Sequence, residues 1–474
     1  MCEPTGGIML MVRRGAMPVR RADERPHDLD EVNRGYSPEM GAAEAGRCLY
    51  CARPTCVQGC PVGVDIIEFV RAVGEGRYLE AADVIGADNS LPAVCGRVCP
   101  QETQCEGSCV LANKDKAIHI GNLERFVADH AREHDTRPAP EPPAPTGKRV
   151  AVVGSGPAGI ACAGDLITQG HGVTVFEALH EPGGVLVYGI PEFRLPKAIV
   201  ADEIDALRGR GVRFETNAVI GRGDTLDDLL TTEGFDAVFL GVGAGLPRFL
   251  NVPGENLIGV YSASEFLTRV NLMKAYTGHS DTPVIDVHGR AVVVFGAGNT
   301  AMDAARTALR LGADPVTIAY RRTRDEMPAR AEEVSHAEAE GVVLETLVAP
   351  LELFGDDDAH LVGVRLQRMA LGEPGPDGRR RPEPVAGSER ELAADVAIIA
   401  IGNDPNPLLR ETTPDLEHSD RGTVVVDEHT GRTAKAGVFA GGDIVTGGAT
   451  VILAMGAGRA AARAIDAYLR EGSE

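Results

Sequence analysis

Eight of the ten cysteines fall between Cys48 and Cys109, and none follows Cys162 in a chain of 474 residues. No other feature restricts the architecture as much. The cysteines form two groups, CLYCARPTCVQGCP and CGRVCPQETQCEGSC. The first is Cys48, Cys51, Cys56 and Cys60, with gaps of 2, 4 and 3; the second is Cys95, Cys99, Cys105 and Cys109, with gaps of 3, 5 and 3. Zinc commonly takes two CxxC pairs in an isolated tetrahedral group. Disulfides belong to oxidising compartments. Pro61 and Pro100 each directly follow a cysteine, as in runs that share ligands between two iron–sulfur clusters. Spacing and compartment favour two [4Fe–4S] clusters, with zinc and disulfides as the competing readings. The confinement of the cysteines marks a separate N-terminal module.

Compartment follows from what the chain lacks. No stretch reaches the ~18–20 apolar residues that span a bilayer. The N-terminal GGIMLMVRRGAM is a poor signal peptide, because its short apolar block precedes the arginines. It reads as a flexible extension, with Met11 or Met17 as alternative starts. The expectation is a cytoplasmic protein. A net charge of −22 argues against nucleic acid or an anionic membrane as partner and is compatible with a basic protein partner.

Between the cysteine groups, Ile66, Phe69, Val70 and Val73 recur at helical spacing. A further helical pattern, HIGNLERFVADHAREH, follows Cys109. Five prolines between Pro138 and Pro145 then predict a stiff linker. Beyond it, short apolar strands alternate with helical stretches, and 356–391 reads as hairpin or loop.

Two of the strands end in glycine fingerprints. Gly154-Ser-Gly156-Pro157-Ala158-Gly159 follows Val150–Val153 and opens a helix, and the next strand ends in Glu177, eighteen residues past Gly159. The first glycine permits the turn, the second lets the backbone approach a pyrophosphate, and the third lets helix pack on strand. The helix N-terminus favours the anion. Glu177 is placed to accept hydrogen bonds from ribose. The second fingerprint, Gly296-Ala-Gly298-Asn299-Thr300-Ala301, leads to a strand ending in Arg321 and Arg322. Arginines there can pair with a 2′-phosphate. The acid-ended site suits FAD and the arginine-ended site NADPH. Gly442-Asp443 and the helix starting near Thr450 and Val451 would return to complete the flavin site, with Asp443 on the ribityl chain; Gly402 is a further expected cofactor contact. The fold class expected is α/β: a helical iron–sulfur domain with extension and linker (1–147), then two Rossmann-like doubly wound domains, for FAD (148–285 and 396–474) and NAD(P)H (286–395). Cys162 stands alone, which speaks against a disulfide reductase with a redox CxxC.

The motifs CLYCARPTCVQGCP, CGRVCPQETQCEGSC, VVGSGPAGIACA, GGVLVYGIPEFRLPK, FGAGNTAMDAAR and YRRTRDEMPA together resemble the small (beta) subunit family of NADPH-dependent glutamate synthase. The same module is similar to the N-terminal half of dihydropyrimidine dehydrogenase and to the large subunit of ferredoxin:NADP oxidoreductase. The resemblance implies interleaved ligands: Cys48, Cys51, Cys56 and Cys109 for one cluster; Cys60, Cys99, Cys105 and Glu124 for the other. All-cysteine ligation through Cys95 is the alternative. Gly183, Gly184 and Tyr188–Pro191 are implied to line the flavin, and Arg194 and Lys197 to face cofactor phosphates or to be surface charges. The resemblance further implies electron transfer from NADPH through FAD to the clusters and on to a large FMN- and amidotransferase-type catalytic subunit, in a hetero-oligomer. The spacing of the second cysteine group resembles the ferredoxin:NADP type more, which leaves the acceptor open. A pyrimidine-reducing or bifurcating input subunit, and a scaffold with structural clusters, are the rival readings.

Overall fold

The computed structural model describes residues 15–114, 116–137, 143–277, 283–375 and 378–471. The N-terminal extension through residue 14, with Cys2, and much of the proline linker lie outside the described residues. The rest forms two compact units: residues 15–19 with 33–137, and residues 20–32 with 143–471.

The first unit is helical. Pro38–Ala45 starts on Ser37, whose hydroxyl accepts the Met40 N–H at 3.3 Å, with proline in the first turn, where its missing N–H costs nothing. Ile66–Gly74 is capped the same way by Asp65. Tyr78–Asp88, Pro92–Val98 and Ile120–His134 follow. Ile66, Phe69, Val70 and Val73 all enter the core, against Ile85, Leu123 and Val127, as their spacing predicts. Pro92–Val98 and Ile120–His134 meet at Gly96, where a Cβ would lie 2.6 Å from the Arg125 backbone nitrogen. Beside that contact, Arg97 and Arg125 both reach Asp129 Oδ2, at 2.8 and 3.3 Å.

The second unit carries two five-stranded parallel sheets. The first runs in the order 438–440, 237–240, 149–153, 172–176, 213–215. Its central strand is the valine run before the first fingerprint, and Val150 to Val153 are all buried, as a parallel strand covered on both faces requires. The second sheet runs 260–262, 396–399, 292–295, 316–320, 343–346. It therefore extends past the 286–395 expected for it: Val396–Ile399 pairs directly with Val292–Phe295, and Val260–Ser262 pairs outside that. The polar stretch 356–391 is built into antiparallel hairpins, in which Leu361–Pro374 pairs with Val348–Gly355, Arg380–Pro384 and Arg390–Ala393. Among the described residues no helix is long and apolar enough to cross a membrane.

Candidate functional site

The first fingerprint folds into the turn its glycines allow. Gly154 has φ +99°, and a Cβ there would lie 2.5 Å from Gly241 O. A Cβ on Gly159 would lie 1.9 Å from Gly154 O, so no larger residue fits beneath the turn. Gly156 caps the helix Pro157–Thr168, and its first N–H groups have no partner within the helix. The Gly183-Gly184 loop closes over this N-terminus, since a Cβ on Gly184 would lie 2.8 Å from Gly156 Cα. Glu177 is buried and fastens the turn: Oε2 accepts from Ser155 N at 3.0 Å and Ser155 Oγ at 2.5 Å, and Oε1 from Leu179 N at 2.9 Å. Ser155 N in turn is bound and Ser155 Oγ accepts the Gly183 N–H at 2.8 Å. Ser155, an unremarked filler between two glycines, is thus the tie between strand, fingerprint and loop.

The C-terminal segment returns to this point. Gly441 N donates to Leu240 O at 3.1 Å, across neighbouring strands. Gly442 has φ +79°, and a Cβ there would press on Ala158 Cβ at 2.9 Å. Helix Val451–Glu471 crosses Pro157–Thr168 at Gly458, where a Cβ would lie 2.1 Å from Ala158 O. Thr450 Oγ1 accepts the Leu453 N–H at 3.3 Å at the start of that helix. Asp443 accepts from Ala449 N at 3.2 Å, and burial raises its carboxyl. Tyr188 stands in the field of Asp443 and Glu177; burial first, then those carboxylates, push its phenol up to about 12. Gly402 follows the second sheet's strand Val396–Ile399 with φ +106°, and its carbonyl accepts the Arg248 N–H at 3.0 Å.

Arg194 and Lys197 are both engaged by partners within the protein. Arg194 Nη1 lies 2.7 Å from both Asp303 carboxylate oxygens, and Nε lies 3.2 Å from Glu333. Arg306, fully buried, pairs with Glu333 and with Glu340 at 2.7 Å, and Arg310 also reaches Glu340 at 2.7 Å. The Phe193 ring lies 3.8 Å from the Arg310 guanidinium carbon and 4.7 Å from that of Arg306. Arg25, from the segment 20–32, approaches Glu340 at 4.0 Å. Carboxylates on two helices of the second sheet thus consume the charge that would otherwise have been offered to a cofactor. Lys197 is spent on backbone carbonyls of its own loop, at Leu186 and Leu195, each 3.1 Å away, and at Ile190.

At the second fingerprint Gly296 has φ +131°, and a Cβ would lie 2.2 Å from Ala400 O. Gly298 caps helix Asn299–Arg310, with Thr300 exposed in its first turn. Asn299 Oδ1 accepts the Arg330 N–H at 3.0 Å. The two arginines at the end of Val316–Tyr320 part company. Arg321 is exposed, whereas Arg322 is buried and donates from Nε to Arg380 O at 2.8 Å, on the hairpin. A ribose phosphate here would meet Arg321; Arg322 is committed to holding the hairpin.

The cysteines lie in two neighbourhoods of the first unit. Cys48, Cys51, Cys56 and Cys109 line one pocket, together with Ile66, Val70, Ile118 and Ile120. The Glu124 carboxylate bears instead on Cys60 and Cys105, and Cys105 feels Cys99 and Cys60 as well. None of the described cysteines is in a disulfide. Among the described residues no three His, Cys, Asp or Glu side chains close on a single ion. A zinc site, with Zn–S near 2.3 Å, would bring its sulfurs to about 3.8 Å of one another. Four cysteines spread around a cavity suit a polynuclear group. Burial pushes the Cys56 thiol up to about 11 and raises Cys48 and Cys60 too. Glu124 is half-buried; burial pushes its carboxyl up to about 7 against the hydrogen bond it takes from Asn89 Nδ2 at 2.7 Å. Cys95 is fully buried beside the same group, hydrogen-bonded to Cys99 and in the field of Glu124 and Cys60.

Comparisons with known proteins follow the same division. Residues 25–136 match the family model described as dihydropyrimidine dehydrogenase domain II, 4Fe-4S cluster. Residues 148–458 match the pyridine nucleotide-disulphide oxidoreductase model. The glutamate synthase [NADPH] small chain of Escherichia coli is 40% identical over 456 residues, covering 95% of this chain and 96% of that protein. The NADP(+)-dependent formate dehydrogenase subunit beta of Moorella thermoacetica is 40% identical over 441 residues, 88% of this chain and 60% of that one. In structure, the chain is similar to Mycobacterium tuberculosis FprA in complex with NADPH, with TM-score 0.57 and 22% identity, over 69% of this chain and 86% of that one. That likeness concerns the fold.

Proposed function

The chain belongs to the pyridine nucleotide-disulphide oxidoreductase family, among the relatives of the glutamate synthase [NADPH] small chains, and from that premise we propose that it is the NADPH-oxidising, electron-input subunit of a glutamate synthase. The observation that carries the reading is the pairing, in one unit, of two glycine cradles with opposite ribose ends: Glu177 at one, Arg321 at the other. The residues fit the cofactors. Gly154, Gly156 and the start of Pro157–Thr168 would hold the FAD pyrophosphate, with Gly184, Gly442 and Asp443 around the flavin. Gly296, Gly298 and the start of Asn299–Arg310 would hold the NADPH pyrophosphate, and Arg321 its 2′-phosphate. Cys48, Cys51, Cys56 and Cys109 would hold one cluster, and Cys60, Cys99, Cys105 and Glu124 the second.

Bound FAD would supply the exchange between a two-electron donor, NADPH, and one-electron carriers, the iron–sulfur clusters. The chain's part is to bind and orient. The fingerprint turn would hold the dinucleotide in a fixed shape, since Gly154 and Gly159 are each backed by a backbone oxygen. Glu177 keeps the turn rigid through Ser155. In this reading the N-terminal N–H groups and dipole of the 21-residue helix Val451–Glu471 would stabilise negative charge on a reduced flavin. No protein acid or base is needed for hydride transfer. In this reading the protein is cytoplasmic and works in a hetero-oligomer with a large FMN- and amidotransferase-type subunit.

The formate dehydrogenase relative favours a second reading, an input subunit that serves another catalytic partner. One experiment separates them. Native complex purified anaerobically should oxidise NADPH when given glutamine and 2-oxoglutarate, and should contain about eight irons and eight sulfides per copy of this chain. Oxidation with artificial acceptors but none with those substrates would favour the second reading. Colourless protein without flavin or iron would overturn both.

A further inference from the structure

Asn89 follows the helix Tyr78–Asp88 and is only 1% exposed. Both ends of its amide are used. Oδ1 accepts the Leu91 N–H at 2.9 Å, and Cys95 Sγ lies 3.7 Å from the same oxygen. Nδ2 donates to Glu124 Oε1 at 2.7 Å. The two ends of an amide have nearly the same shape, so partners decide which way it faces. The Leu91 N–H can only donate, and Leu91 is wholly buried. Turning the amide over would leave that N–H facing an NH₂ group, and a buried orphan donor costs about 1–3 kcal/mol. Nδ2 is therefore held toward Glu124.

Packing brings the same three residues together. Helices Pro92–Val98 and Ile120–His134 touch at Gly96 and Arg125. Cys95 and Glu124 each come one position before that contact, and Asn89 reaches both. Its amide offers Cys95 an acceptor and Glu124 a donor. The acceptor ties the Cys95 thiol to the amide, and the donor fixes one Glu124 oxygen, Oε1, in place.

We propose that Asn89 is a positioning residue: it presents Glu124, and not Cys95, to the cluster held by Cys60, Cys99 and Cys105. The inference rests on the ligand set proposed above. Partners of this kind orient a ligand without touching the metal, and their loss typically weakens metal binding by about 10–100-fold.

The test uses the full-length protein, loaded and reduced anaerobically, with electron paramagnetic resonance and redox titration as readouts. In N89D the acceptor for Leu91 and Cys95 is kept, the donor to Glu124 is lost and a second carboxyl group is set against Glu124. N89L removes both. Each should shift the signal and midpoint potential of one cluster, leave the other cluster and the flavin unchanged, and speed iron loss from that cluster to a chelator about 10–100-fold. C95S should leave both signals in place. Unchanged signals and iron retention in N89D would overturn the role of Asn89, and so would equal disturbance of both clusters. Failure of the ligand set would show separately, as unchanged spectra in E124A or loss of a cluster in C95S.

Discussion

Arg194 Nη1 lies 2.7 Å from each carboxylate oxygen of Asp303, and both side chains are almost completely buried. The two residues are 109 positions apart. One sits in the loop after the Gly183-Gly184 turn, the other in the helix of the second fingerprint. Removing one member of a buried pair strands the other charge, at a cost of about 3–5 kcal/mol. R194M should lower stability by about that amount in the denaturant midpoint of the FAD-loaded protein. A loss under about 1 kcal/mol, the range of exposed pairs, would show the network to be incidental.

Glu333 gives the same network a pH dependence. Burial opposes its ionisation, but the Arg194 and Arg306 guanidinium groups override it and hold the carboxyl at about 2, against an ordinary 4.5. A carboxyl depressed in the folded state stabilises fully above its unfolded value and loses that contribution as pH falls toward its folded value. Stability should decline between pH 4.5 and about 2, and E333Q should be less stable at neutral pH with a flatter slope across that window. Urea midpoints measured across this range decide it; parallel slopes would remove Glu333 from the account.

Arg321 and Arg322 should behave differently under mutation. Hydrogen bonds to charged groups contribute about 1.5–3 kcal/mol, so R321A should raise the Michaelis constant for NADPH about 10–100-fold while sparing NADH. R322A should act chiefly on stability, through its bond to Arg380 O. Steady-state kinetics with both nucleotides test this, and equal losses for NADPH and NADH in R321A would take the phosphate away from it.

Gly159 has no room for a side chain, because a Cβ would fall 1.9 Å from Gly154 O. G159V should abolish flavin absorbance while leaving iron content near that of the parent protein. Normal flavin content would mean that the turn relaxes at little cost.

Local chemistry made much of this legible in advance. The fingerprint glycines, the valine strands before them and the apolar stripe of Ile66, Phe69, Val70 and Val73 each announce a structure that their own neighbours complete. What stayed hidden depends on residues far away in the chain. Arg194 reads as a cofactor contact until Asp303 and Glu333 arrive to neutralise it. Arg322 reads like Arg321 until the hairpin strand at Arg380 gives it a carbonyl. The outer strands of the second sheet, 260–262 and 396–399, are too short to signal which sheet they join. Asn89 left only a weak trace, an Asn-Ser-Leu-Pro turn before a cysteine helix.

The first sheet borrows its edge strand, 438–440, from near the end of the chain, and the segment 20–32 packs with helices of which the last ends at Ala339. Synthesis runs the other way. An emerging polypeptide exposes residues 20–32 first and has to keep them waiting while some 300 further residues are translated, and the flavin domain cannot finish its sheet until nearly the whole message has been read. Seating of this early segment therefore waits on the helices of the second sheet.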